Sequence, residues 1–144
     1  MNKFKGLMTS LSPHWATPKW LYDELDKEFN FTDDPCPLGG AGGLSRDWGK
    51  RVYCNPPYGR TIGRWIEKAY ASVHGRFNAD DCPTSEVVVL LIPSRTDTKW
   101  WHDYIMKADE IRFIKGRLKF GESKNSAPFP SCIAIFAAKE KLKT

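Results

Sequence analysis

Apolar positions change period several times along the chain, and each change marks an element. Leu21, Leu25 and Phe29 recur at helical spacing behind Thr17-Pro18. That pair predicts a helix start, a capping hydroxyl followed by proline at the first helical position. Phe31 to Asp34 reads as a short extended segment that breaks at Pro35-Cys36-Pro37, ahead of a stretch containing Gly39, Gly40, Gly42 and Gly43. Val52-Tyr53-Cys54 predicts a strand stopped by Asn55-Pro56-Pro57, and Ile62, Trp65, Ile66, Ala69 and Val73 then follow a helical period. Glu86 to Ile92 predicts a buried strand from its β-branched content, and Thr98 to Lys107 a helix carrying Trp100, Trp101, Tyr104 and Ile105. Ile111 to Ile114 and Cys132 to Phe136 predict two further strands, separated by the irregular segment Gly116 to Ser131.

Strand alternating with helix predicts an α/β layer structure with a mainly parallel sheet, whose ligands bind beyond the carboxyl ends of the strands. Asp34 and Asn55 stand at two such ends. Residues 1–14 show no sustained period and read as a flexible leader, 15–137 as one domain, and 138–144 as a short basic tail.

Composition adds limits. A chain of 144 residues, 41% hydrophobic, has the size and apolar content of one ordinary domain. The apolar run Val87 to Ile92 is too short to cross a bilayer and the N-terminus lacks the apolar core of a signal peptide. A cytoplasmic protein without membrane contact is expected. Cys36, Cys54, Cys82 and Cys132 form no CxxC pair, and His14, His74 and His102 share no ligand spacing with them, so neither a metal nor a disulfide framework is expected. Twenty-two Lys and Arg against seventeen Asp and Glu give +5. That balance favours a polyanionic partner, although an ordinary basic, solvated surface would produce it too.

The chemistry concentrates at Asn55-Pro56-Pro57-Tyr58. Two prolines fix the backbone after a strand and remove two N–H donors, which leaves carbonyl acceptors. The Asn55 amide oxygen and the Pro56 carbonyl can together accept both hydrogens of one exocyclic amine, raising electron density on its nitrogen as it attacks an electrophile. Tyr58 offers an aromatic face for a planar base, worth ~1–3 kcal/mol by analogy with single-strand binders. The plain alternative is a rigid turn between strand and helix.

This tetrapeptide resembles the (D/N/S)PP(Y/F/W) motif of amino-methyltransferases. With Trp15-x-Thr17-Pro18, Phe31-Thr32-x-Asp34-x-Cys36, Leu44-x-x-Asp47-Trp48, Pro93-x-Arg95-Thr96, Gly116-Arg117-Leu118-x-Phe120 and Ala127-Pro128-Phe129-Pro130-Ser131, the chain resembles the phage-type, Dam-like DNA N6-adenine methyltransferases across roughly residues 15 to 136. The resemblance implies a reduced Rossmann-like methyltransferase fold, S-adenosylmethionine as cofactor, and site-specific methylation of a flipped-out adenine in DNA. Extruding that base costs a few kcal/mol. Asn55, Pro56, Pro57 and Tyr58 would be catalytic. Trp15, Thr17, Asp34, Cys36, Asp47 and Asn55 would bind the cofactor, and Tyr58, Arg95, Thr96, Trp100, Arg117 and Phe120 the DNA. Plainer roles stand beside these: Thr17 as an N-cap, Asp34 satisfying the following loop, Asp47 as a loop cap, and at least one of Trp100 and Trp101 packed on the sheet.

The chain departs from the larger methyltransferases by lacking FxGxG after the first strand, where Asp34-Pro35-Cys36-Pro37 stands instead. Asp34 to Val52 has no room for two full strand and helix units. The sheet is therefore reduced, or a second subunit in a homodimer completes the cofactor site. Recognition would fall to short loops such as Gly75 to Ser85 or Gly121 to Ser126. Competing readings are a catalytically silent DNA-binding protein and an N4-cytosine methyltransferase. A phage origin, suggested by resemblance, would place the protein in the host cytoplasm.

Overall fold

The computed structural model describes residues 16–37, 42–75, 82–121 and 125–138. In chain order these form α1 (Lys19–Phe29), β1 (Arg51–Cys54), α2 (Ile62–His74), β2 (Val87–Pro93), α3 (Lys99–Asp103), β3 (Glu110–Phe113) and β4 (Ser131–Ala137). Short 3-10 turns lie at Gly43–Ser45 and Ile105–Lys107. None of these helices is long and apolar enough to cross a membrane.

The strands make one sheet in the order β1-β2-β4-β3. β1 and β2 are parallel, with Arg51 opposite Val87 and Cys54 opposite Leu90. β4 runs antiparallel to both β2 and β3. The sheet is therefore mixed, with two of its three pairings antiparallel, and the expectation of a mainly parallel sheet is corrected. β1, β2 and β3 still point the same way, and the reversal is confined to β4, which returns between β2 and β3. All seven β4 positions are buried. A strand covered on both faces shows no alternation, and its apolar run reads the same in either direction.

Alternate residues of the central strands feed two layers of core. Val52, Cys54, Val88, Leu90, Ile92, Ala134 and Phe136 pack with Ile62, Trp65, Ile66, Ala69 and Val73 of α2. Tyr53, Val89, Leu91, Ile133 and Ile135 pack with Leu21 and Leu25 of α1 and with Leu118, Phe120, Ala127 and Phe129. Each fully buried aliphatic side chain contributes about 1.5–3 kcal/mol by leaving water. This burial on two faces, more than intrinsic propensity, holds α1 and α2 against the sheet.

Local signals set the ends of the elements. α1 stops at Asn30, whose left-handed φ of 54° turns the chain out of the helix while its amide still donates to the Asp26 carbonyl at 2.7 Å. Thr98 caps α3 by accepting from the Trp101 amide at 3.2 Å. The single helix expected over Thr98 to Lys107 breaks at Tyr104, with φ −127° and ψ −48°, and resumes as the 3-10 turn. The strand expected at Phe31 to Asp34 is reduced to one parallel bridge between Asp33 and Val52, on the outer side of β1.

Candidate active site

The carboxyl ends of β1 and β2 lie together because the two strands are parallel. Asn55 directly follows β1, and its Nδ2 donates to Thr17 Oγ1 at 3.2 Å. Thr17 Oγ1 also shares a hydrogen bond of 2.5 Å with the Tyr53 hydroxyl. Tyr53 is only 2% exposed. Burial pushes its phenol far above the ordinary range, so it stays a neutral hydroxyl. The N-cap reading of Thr17 is corrected: Pro18 holds that position and no side chain caps α1. A cap would have bonded the helix next door, whereas Thr17 reaches residues 36 and 38 positions along the chain.

Tyr58 is half-buried, and its hydroxyl donates to the Leu91 carbonyl of β2 at 3.1 Å. Its ring meets Phe129 at 5.4 Å and Phe120 at 6.3 Å between centroids, both in edge-on geometry. The ring is thereby fixed beside the edge where Asn55 stands. Pro56 is buried and Pro57 partly so. Phe120, expected to wedge or stack on DNA, is 4% exposed and is a core residue beneath Tyr58, a correction to the sequence reading.

Asp34 sits on the segment bridged to β1. Its Oδ1 accepts the Cys36 amide at 3.1 Å and so satisfies the following loop. Burial, its largest influence, raises the carboxyl, and the nearby Asp33 adds to the rise. The Cys36 thiol is pushed up to about 11 by burial and then by Asp34, so it is a neutral, apolar group within the core. Asp47 is not brought to Asn55. It is exposed near the start of β1 and lines a cleft of about 480 Å³ with Lys68, Ser72 and Thr84, at the opposite end of the sheet. Trp15 lies outside the described residues, as do parts of the two proposed recognition loops.

Arg95, Thr96 and Arg117 are exposed, and Trp100 is half-buried. The Arg95 and Thr96 carbonyls accept from Thr98 Oγ1 at 2.8 Å and from the His102 ring at 2.7 Å, which orders the turn after β2. Trp101 is 3% exposed and packs in the core.

Three contributors went unrecognised in the sequence. Asp33 takes both ends of the Arg46 guanidinium at 2.8 Å and the Gly49 amide at 2.8 Å. It thus closes the loop that carries Asp34. Tyr53 carries only a strand signal in the sequence. Gly121 has φ +56° and donates to the Ala16 carbonyl at 2.8 Å, fastening the segment that bears Thr17. The one available signal was a glycine after Phe120 in an irregular stretch, which is weak.

No solved structure matches the chain. A protein named DNA N-6-adenine-methyltransferase, from Haemophilus phage HP1 (strain HP1c1), is 26% identical over 146 aligned residues, covering 87% of this chain and 79% of that protein. The family model described as DNA N-6-adenine-methyltransferase (Dam) matches residues 6–140. With nearly its whole length under that match, the chain belongs to the DNA N-6-adenine-methyltransferase family.

Proposed function

We propose that this protein transfers a methyl group from S-adenosylmethionine to N6 of adenine at particular sites in DNA, with Asn55, Pro56, Pro57 and Tyr58 handling the target base. The observation that supports this reading most is the hydrogen bond from Asn55 Nδ2 to Thr17 Oγ1. Committing the nitrogen of the amide to Thr17 sets its oxygen as the end presented to an amine. Asn55 Oδ1 and the Pro56 carbonyl then accept the two N6 hydrogens, so that the nitrogen lone pair is the part left to react. Tyr58 lies along the base, its ring held by Leu91, Phe120 and Phe129.

The residues present fit the cofactor. Asp34 offers a carboxylate on the segment beside β1, raised by burial, with Oδ1 on the Cys36 amide. An acceptor in such a partly desolvated place suits the hydroxyls of a nucleoside sugar or an ammonium group. When bound, S-adenosylmethionine supplies the methyl group from its sulfonium. Arg95 and Arg117, exposed around this region, serve as phosphate contacts that set affinity and salt dependence without naming a sequence.

The test incubates the wild type and Asn55→Ala with labelled S-adenosylmethionine and unmethylated duplex DNA, followed by nucleoside mass spectrometry. N6-methyldeoxyadenosine from the wild type, and none from Asn55→Ala at unchanged melting temperature, is the expected result. N4-methyldeoxycytidine would move the target to cytosine. DNA binding with no methylated nucleoside from several DNA sources would overturn the enzymatic reading.

A further inference from the structure

An asparagine amide has nearly the same shape in its two flipped states, yet only one of them can hold an amine. With the oxygen outward it accepts an N–H. With the nitrogen outward it sets donor against donor. A hydroxyl that is itself held in place beside the amide nitrogen can keep that end occupied and leave the oxygen for the amine.

Here Thr17 is such a hydroxyl. Thr17 Oγ1 lies 2.5 Å from the Tyr53 hydroxyl and 3.2 Å from Asn55 Nδ2. We infer that Tyr53 and Thr17 form a positioning relay, in which Tyr53 fixes the place of the Thr17 hydroxyl and Thr17 accepts from Asn55 Nδ2, leaving the amide oxygen for the substrate amine. The inference rests on the functional reading above and assigns Thr17 and Tyr53 as positioning residues. Neither touches the reacting atoms in this scheme.

Three features make the relay rigid. Tyr53 is buried within β1 and packs at 5.1 Å, edge-on, against Tyr22 of α1. The Ala16 carbonyl, next to Thr17, is held by the Gly121 amide at 2.8 Å. The hydroxyl of Tyr53 stays protonated across the working pH range, since burial pushes its ionisation far upward. The pairing therefore does not switch with pH.

The test compares Thr17→Val, Thr17→Ser and Tyr53→Phe with the wild type. Thr17→Val keeps the shape and removes the hydroxyl. Its kcat is expected to fall about tenfold, the rate equivalent of roughly one net hydrogen bond, with KM for S-adenosylmethionine and for DNA unchanged. Tyr53→Phe touches neither Asn55 nor the substrate, yet it is expected to lower kcat several-fold, because Thr17 loses the partner that fixes its hydroxyl beside the Asn55 amide. Thr17→Ser keeps the hydroxyl and is expected to restore kcat to within about twofold.

A second readout needs no turnover. The Asn55 side-chain NH2 resonances, identified by their loss in Asn55→Ala, are expected to shift in Thr17→Val and Tyr53→Phe and to hold their position in Thr17→Ser. The relay is overturned if Thr17→Ser loses as much as Thr17→Val, if the loss falls on KM for S-adenosylmethionine, or if the amide resonances do not respond. Wild-type protein that makes no methylated nucleoside sinks the functional reading and the relay together. Wild-type activity with an unaffected Thr17→Val sinks the relay alone.

Discussion

Replacing Asp33 tests whether the loop that carries Asp34 is clamped by charge. The Asp33 side chain is 16% exposed and takes two hydrogen bonds from Arg46 and one from the Gly49 amide. In Asp33→Ala, Gly49 loses an ionised acceptor, a cost of about 1–2 kcal/mol. The Arg46 side chain is 46% exposed. Solvent screens its share to no more than about 1 kcal/mol. The expected destabilisation is therefore about 2 kcal/mol, which for a domain of this size lowers Tm by roughly 6 °C. Asp33→Asn keeps an acceptor for Gly49 and is expected to lose about half as much.

The pH dependence follows from direction. The Arg46 hydrogen bonds, first, and the Gly49 amide hold the Asp33 carboxyl below its ordinary range, against the opposing effect of burial. A lowered folded value means that the stabilisation is complete above the unfolded carboxylate pKa, about 4, and is lost as pH falls through the folded value. Thermal melts of wild type and Asp33→Asn are thus expected to differ at neutral pH and to converge in strong acid. An equal gap at both ends of the range would refute charge as its source, and a Tm for Asp33→Ala within about 1 °C of wild type would refute the clamp itself.

Two other substitutions separate steric from conformational constraint in this small domain. A Cβ at Gly43 would stand 2.1 Å from the Pro35 carbonyl and 2.7 Å from the Trp65 ring. Gly43→Ala is expected to cost about 3 kcal/mol or to yield insoluble protein, whereas Gly116→Ala, with φ +76° and open space around it, should cost only about 1 kcal/mol, as urea unfolding would measure. For DNA, Arg95→Ala and Arg117→Ala are each expected to reduce the slope of log K against log salt by about 0.9 in a binding titration. An unchanged slope would remove that residue from the phosphate contacts.

Periodicity located the elements well where burial is one-sided and long. Ile62, Trp65, Ile66, Ala69 and Val73 of α2 are all buried, and the Val87 to Ile92 run is the centre of the sheet. Strand direction was not legible, because β4 is covered on both faces and its pattern is indifferent to reversal. The break at Tyr104 escaped notice because Trp101 and Ile105 keep helical spacing across it and are both buried. At the site, the tetrapeptide announced itself through its own residues, while its supports did not. Thr17 looked like a cap because Pro18 follows it, and its true partners lie far along the chain. Of two adjacent carboxylates, Asp34 drew attention, while Asp33 does the clamping through Arg46 and Gly49, a pairing that no local spacing encodes.

The fastening of Ala16 by Gly121 also bears on how the molecule is made. Asn55 to Tyr58 is synthesised before the midpoint of the chain is reached. The amide that pins Thr17 in place, and the Phe120 and Phe129 rings against Tyr58, are encoded well after it. A nascent chain, or a product terminated short of Gly121, therefore carries the whole motif without the surroundings that orient it. The surroundings of the motif are complete only once translation has passed Phe129, and a fragment that bears the tetrapeptide lacks the contacts that hold it in the folded chain.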